Sequence, residues 1–198
     1  MKLLGSSRSP YIQKVRIAMV EKGLSFEYEE VAPTHAEVVG GNPLGKIPTL
    51  IRDDGRGLYD SSVIVDYVDG VGGTPSLIPT DFESRIEVRR WEALGDGIMD
   101  AIVAISHENR APAEQRKGPD YIARHQTKID AGVAAMEHDL GAKPFCFGHT
   151  ITLADVACAS ALIYLDRVMP ELNWRAKHPV LATHFAKLQE RPSLKALG

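Results

Sequence analysis

The stretch Asn42-Pro-Leu-Gly-Lys-Ile-Pro-Thr-Leu50 constrains the fold more than any other, because it sets a proline at the opening of an apolar strand. Proline has no backbone N–H, so Pro48 belongs at a sheet edge, at the first residue of a strand, or beside a bound ligand. A second stretch, Leu58-Tyr-Asp-Ser-Ser62, runs from a strand end into a helix with Asp60 and Ser61 at the cap. Such a cap presents backbone N–H groups and a positive dipole end, which suits a carboxylate. Together the two stretches sketch a site for a peptide, with backbone pairing before Pro48 and carboxylate capture at Ser61.

Around these stretches the first part of the chain alternates short strands and helices. Residues 2–5 suit a brief buried strand. Ile12, Val15, Ile17, Ala18 and Met19 fall close to one helical face over residues 10–22, and Gly23 stands where a helix ends. Residues 25–31 alternate as a strand whose glutamates imply an edge, and residues 34–40 hold a turn or two of helix. Residues 47–52 and 57–59 flank Asp53-Asp54-Gly55-Arg56, a hairpin signal. Val63, Ile64, Tyr67 and Val68 return to helical spacing over residues 61–69. The order is β-α-β-α-β-β-α.

After Gly70 the composition shifts. Gly72, Gly73, Pro75 and Pro79 disfavour helix, and beyond Phe82 only helical patterns persist: residues 83–109, 120–140, 153–168, 180–190 and a short tail from Ser193. Gly95 and Gly97 in the first of these suit a bend or close packing. Mixed α/β followed by helices alone predicts two domains, residues 1–75 and 83–198, with the boundary near 71–82. Thr152-Leu-Ala-Asp155 has the form of a capping box that starts a buried helix, a structural role.

The chain is long enough, at 198 residues, to bury a real core. A net charge of -3 offers no broad basic surface, so nucleic acid is not an expected partner. No apolar run has the length of a membrane span or a signal peptide, which makes the cytoplasm the expected location. Cys146 and Cys158 lack metal-ligand spacing and read as buried small hydrophobes, and the scattered histidines match no metal pattern. No metal is expected.

The element order, the Ile47-Pro48 step, the Asp60-Ser61 cap, the helical second part and the Thr152–Asp155 box together resemble the cytosolic glutathione S-transferase family, over essentially the full length. The resemblance implies a thioredoxin-like glutathione-binding domain and an all-helical domain that forms most of the second-substrate pocket. It implies that Pro48 is cis, that the Ile47 backbone pairs with the cysteinyl part of glutathione, and that Ser61 takes the γ-glutamyl carboxylate. Asp60 would help hold the ammonium, and Lys46 the glycyl carboxylate.

Glutathione chemistry needs a thiolate, whereas a free thiol titrates near ~8.5. A hydroxyl donating a hydrogen bond at a helix N-terminus favours the ionised sulfur. Within Ser6-Ser-Arg-Ser-Pro-Tyr11, Pro10 suits the first helical position and makes Ser9 the N-cap. Ser9 is therefore the expected thiolate stabiliser, as in the serine-type bacterial-like members, with Ser6 and Ser7 as competitors. Lys14-Val-Arg-Ile-Ala18 also resembles the maleylacetoacetate isomerase branch, but the Ser-Ser-Cys signature of that branch is lacking.

A second-substrate pocket is expected between residues 8–11 and the first long helix, where Asp96, Met99, Asp100, Val103 and His107 recur at helical spacing. The expected activity is conjugation of the glutathione thiolate to a small electrophile by a homodimer. The alternatives are a non-catalytic glutathione-binding protein of the same fold, or a glutathione-dependent peroxidase or disulfide reductase. No cysteine precedes residue 146 to act as nucleophile in the N-terminal domain.

Overall fold

Leu3 and Leu4 are wholly buried in β1 (Lys2–Gly5), the strand around which the first half of the chain is organised. The computed structural model describes residues 1–197. β1 pairs in parallel with β2 (Glu27–Glu30) and antiparallel with β3 (Thr49–Ile51), which pairs antiparallel with β4 (Gly57–Leu58). The resulting four-stranded sheet has the order β2-β1-β3-β4. β2, with its glutamates, is an edge strand, as its charge demands.

Between the strands lie α1 (Pro10–Glu21), α2 (Ala36–Gly41) and α3 (Ser61–Val71). Ile12, Val15 and Met19 of α1 and Ile64, Val65 and Val68 of α3 are fully buried, and these two helices pack on each other. The β-α-β-α-β-β-α order expected from periodicity is the order observed.

The connection after α3 is ordered by one half-buried carboxylate. Asp69 accepts hydrogen bonds from the Leu77 N–H at 2.7 Å and the Ser76 hydroxyl at 2.7 Å, and its Oδ1 lies 2.9 Å from the Lys22 ammonium. The Lys22 Nζ also donates to the Pro75 carbonyl at 2.9 Å. This glycine- and proline-rich segment cannot be helical, so its backbone groups find partners in side chains instead.

Helices alone follow: α4 (Phe82–Arg110), α5 (Pro119–Leu140), α6 (Leu153–Val168), α7 (Trp174–Lys177), α8 (Pro179–Gln189) and α9 (Pro192–Lys195). α6 is buried along nearly its whole length and packs on α4, which also packs on α5. Gly95 makes the α4–α6 approach possible, since a Cβ there would lie 2.9 Å from the Ala157 carbonyl oxygen. The capping box is present: the Asp155 Oδ2 accepts from the Thr152 N–H at 2.9 Å and the Thr152 hydroxyl at 3.1 Å.

The chain divides into two compact units, Phe82–Leu188 and a first unit of Met1–Asp81 with the residues from Gln189 onward. The C-terminal segment, placed by its sequence with the helical part, thus groups with the sheet. Glu21 at the end of α1 explains this, accepting both Arg191 guanidinium bonds at 2.7 Å and the Ser193 hydroxyl at 2.5 Å.

Two outcomes follow from this packing. Gly95→Ala forces α4 off α6 and is expected to cost about 1–3 kcal/mol. Gly97→Ala, with nothing within 4 Å of the added carbon, is expected to stabilise by roughly 0.5–1 kcal/mol. Urea unfolding of the pair checks the opposite signs. Asp69→Ala leaves the buried Lys22 ammonium unpaired and is expected to cost about 3–5 kcal/mol. Burial pushes the Asp69 carboxyl up, but the Leu77 N–H, the Lys22 ammonium and the Ser76 hydroxyl outweigh it and hold it below the usual carboxylate range. Its contribution is therefore complete above the unfolded value near ~3.9 and lost as pH falls through the lower folded value. Acid unfolding of Asp69→Ala should accordingly show a shallower loss of stability below that point.

Candidate functional site

Strand register brings the candidate segments of the first unit to one end of the sheet. Leu4 of β1 pairs with Thr49 of β3, so the loop leaving Gly5 lies beside Ile47 and Pro48. Leu50 pairs with Leu58, so β4 runs out at the same end into Tyr59 and Asp60. Gly5 allows the approach, for a Cβ there would lie 2.2 Å from the Ile12 side chain and 3.2 Å from Ile47. The residues that sequence reasoning selected from three separate stretches are thus neighbours.

Ser9 is the N-cap of α1, with Pro10 at the first helical turn, and its hydroxyl makes no capping hydrogen bond. Its N–H donates to the Ser6 carbonyl at 2.8 Å, which tightens the turn into the helix. The rest of the loop is held from β2 by Glu30. Both Glu30 carboxylate oxygens accept from the Ser7 N–H, at 3.0 and 2.8 Å, and the Tyr28 hydroxyl donates to the same group. The Ser6 and Ser7 hydroxyls also bond to Glu30; although burial pushes its carboxyl up, these donors and Tyr28 hold it below the usual range. Burial and then the Glu30 charge push the Tyr28 phenol up, so it stays a neutral donor. Glu30 carries no sequence signal of its own beyond a place on an edge strand.

Pro48 is buried and Ile47 half-buried, and the peptide bond between them is cis. The turn before them is built on Asn42, whose amide donates to the Lys46 carbonyl at 2.9 Å and whose Oδ1 accepts from the Leu44 N–H at 3.0 Å. The Thr49 hydroxyl donates to the same Lys46 carbonyl at 2.9 Å. The Lys46 side chain is exposed. Asp60 is the exposed N-cap of α3 and accepts from the Ser62 N–H at 3.0 Å, while Ser61, the first helical residue, is buried.

In the helical unit, Met99 is buried, Asp96 and Val103 are half-buried, and Asp100 and His107 are exposed. Trp91 and Trp174 are core residues. Sequence spacing did not reveal that Cys146, Asp155 and His184 come together there, all three buried. The neighbouring Cys158 thiol and burial push the Cys146 thiol well up, so it is no nucleophile. Among the described residues no helix is long and apolar enough to cross a membrane.

A family model described as the glutathione S-transferase N-terminal domain matches residues 8–71, and one described as the C-terminal domain matches residues 119–187. The uncharacterized GST-like protein YibF of Escherichia coli strain K12 is 36% identical over 194 residues, covering 96% of this chain and 92% of its own. A crystal structure of a glutathione S-transferase from Methylobacillus flagellatus KT, with GSH bound, superposes with a TM-score of 0.94. It is 40% identical and covers 100% of this chain and 98% of that one. A glutathione transferase family member from Pseudomonas fluorescens Pf-5, with bound S-(propanoic acid)-glutathione, has a TM-score of 0.86 and 34% identity, covering 100% and 98%. A sheet whose register gathers Ser9, Ile47-Pro48 and Asp60-Ser61, followed by a helical unit with the capping box, therefore has its relatives among these enzymes, and the chain belongs to the glutathione S-transferase family.

Proposed function

We propose that this chain is a glutathione transferase that joins the glutathione thiolate to an electrophilic carbon of a small substrate. The observation that carries the proposal is the gathering of three recognition segments at one end of the sheet, with the Ser9 hydroxyl among them. The Ile47 backbone pairs with the cysteinyl part of glutathione beside Pro48. Ser61 and the first N–H groups of α3 take the γ-glutamyl carboxylate, Asp60 holds the ammonium, and Lys46 reaches the glycyl carboxylate. The sulfur then lies at the N-terminus of α1.

Ser9 donates its hydrogen to that sulfur and stabilises the anion. Its competitors are already committed, since the Ser6 and Ser7 hydroxyls both bond to Glu30. The thiolate attacks the electrophile, a carbon–sulfur bond forms, and any leaving group departs with the electron pair. The protein supplies position and charge stabilisation without a covalent enzyme intermediate. A relative holding S-(propanoic acid)-glutathione, a thioether of glutathione, supports conjugation as the chemistry. In this reading the protein works in the cytoplasm as a homodimer that detoxifies electrophiles.

The test is an ultraviolet pH titration of the bound thiol, run with wild type and Ser9→Ala. Wild type should show the thiol ionising below the free value near ~8.5, and the variant should return it toward that value. kcat/KM for a conjugation substrate should fall about 10²-fold, the usual loss for one donor to a developing anion. A titration unchanged by Ser9→Ala but abolished by Ser7→Ala would reassign the role, and absence of glutathione binding would overturn the function. Alkyl hydroperoxide and small-disulfide assays run alongside would reveal the alternative chemistries. Glu30→Ala, which strips the Ser7 N–H of a charged acceptor, is expected to loosen the loop and weaken glutathione binding roughly tenfold, the equivalent of one charged hydrogen bond. Isothermal titration of both proteins checks it.

A further inference from the structure

We propose that Cys146, Asp155 and His184 form a binding site for a divalent cation of the zinc type in the core of the helical unit. The three residues come from three segments. Cys146 lies in the stretch before α6, Asp155 stands on α6, and His184 belongs to α8. No glutathione-binding residue is among them, so the site stands independently of the transferase reading.

The geometry is that of a metal centre. The Cys146 Sγ lies 3.8 Å from the His184 Nε2, which lies 3.5 Å from the Asp155 Oδ1. The three ligand atoms are all within 4.8 Å of one another. Tetrahedral zinc, with bonds of about 2.3 Å to sulfur and about 2.0–2.1 Å to nitrogen and oxygen, sets its sulfur and nitrogen ligands about 3.6 Å apart and its nitrogen and oxygen ligands about 3.4 Å apart. The observed separations need to change by only tenths of an ångström. The Cys158 thiol is in hydrogen-bonding contact with Cys146 and packs beside the three ligands.

A nucleophilic relay is the other chemistry that a cysteine, a histidine and an aspartate suggest, and the contacts argue against it. In a relay the thiol and the carboxylate bind opposite nitrogens of the imidazole. Here both face Nε2, so the three groups converge on one point instead of forming a chain. Burial argues the same way, for His184 is 5% exposed and Asp155 and Cys158 are wholly enclosed. A substrate has no path that the structure shows to such a sulfur, whereas an ion can be enclosed as the unit folds.

The surrounding groups orient the ligands. Asp155 Oδ2 is held by the Thr152 N–H and hydroxyl, and Oδ1 accepts the Cys146 N–H at 2.8 Å. These bonds point the carboxylate at His184 and fix the cysteine beside it, as partners around metal ligands do. Sulfur and imidazole donors select a zinc-like ion over calcium or magnesium, which take oxygen. One thiolate and one carboxylate balance the charge of the ion, and binding releases the thiol proton to solvent. With three protein ligands drawn from three segments, the ion would staple those segments of the helical unit together.

The test uses the full chain, reduced with a phosphine so that no thiol reagent competes for metal. It is unfolded, refolded with Zn²⁺ or with Co²⁺ as a spectroscopic probe, and freed of excess ion by gel filtration. The expected result is one ion per chain, a higher Tm than the metal-free refolded protein, and tetrahedral Co²⁺ absorption with a thiolate charge-transfer band. Cys146→Ala and His184→Gln should each weaken uptake at least tenfold and abolish the Tm rise while glutathione binding is kept. The wild-type stoichiometry stands by itself even if a variant does not fold. Uptake of no ion by refolded wild type would overturn the proposal, as would equal uptake by both variants, or Co²⁺ spectra without a thiolate band.

Discussion

The antiparallel pairing of β1 with β3 is the constraint on which the first unit and its site depend. Strand side chains alternate between faces, so a slip of one residue would turn Leu50, opposite Leu3, away from the core. Both leucines are fully buried, which makes that slip expensive and holds the register. The same register sets Thr49 against Leu4 and therefore Pro48 beside the end of β1. Pro48 has no N–H to extend the ladder, so pairing stops where the loop of Ser6–Ser9 begins. A site is left at the sheet end because hydrophobic pairing decides the register and the proline decides where it ends.

Local signals made most of this legible, and non-local ones did not. The strand over residues 2–5 and the helix over residues 153–168 are observed at the expected residues, because a short buried run in one and a capping box in the other act within a few positions. The strand expected over residues 25–31 is shorter, Glu27–Glu30, for on an edge only those residues pair with β1. α7 has four residues, too few to show a period, and Trp174 instead anchors it through an indole bond to Asp166 at 2.7 Å. The return of the tail to the sheet rests on Glu21 and Arg191, 170 residues apart, and no periodicity reports such a pair.

The candidate site divides in the same way. Ser9 before Pro10, the Ile47-Pro48 step and the Asp60 cap are each written in adjacent residues, so chemistry could be read from them directly. Glu30 was hidden, since its importance lies in facing Ser6 and Ser7 across from β2, a contact that exists only once β1 and β2 are paired in parallel. Its effect is to use up two hydroxyls and one N–H, which leaves the Ser9 hydroxyl as the one of the three serine side chains uncommitted to that carboxylate. A residue outside the loop thus sets the Ser9 hydroxyl apart from the two serines before it.

Each unit also relies on one carboxylate to order a stretch that cannot be helical, and the two are balanced differently. Asp69 gathers the N–H of Leu77 and the hydroxyl of Ser76, with the Lys22 ammonium 2.9 Å away to match its charge. Asp155 gathers the N–H groups of Cys146 and Thr152 and the Thr152 hydroxyl, all neutral donors, with the His184 ring at 3.5 Å. Three hydrogen bonds orient the carboxylate, but none of the donors brings a full positive charge. The Cys146 thiol and the His184 imidazole line this point. The charge that Lys22 brings to Asp69 is the charge that a divalent ion would bring to Asp155.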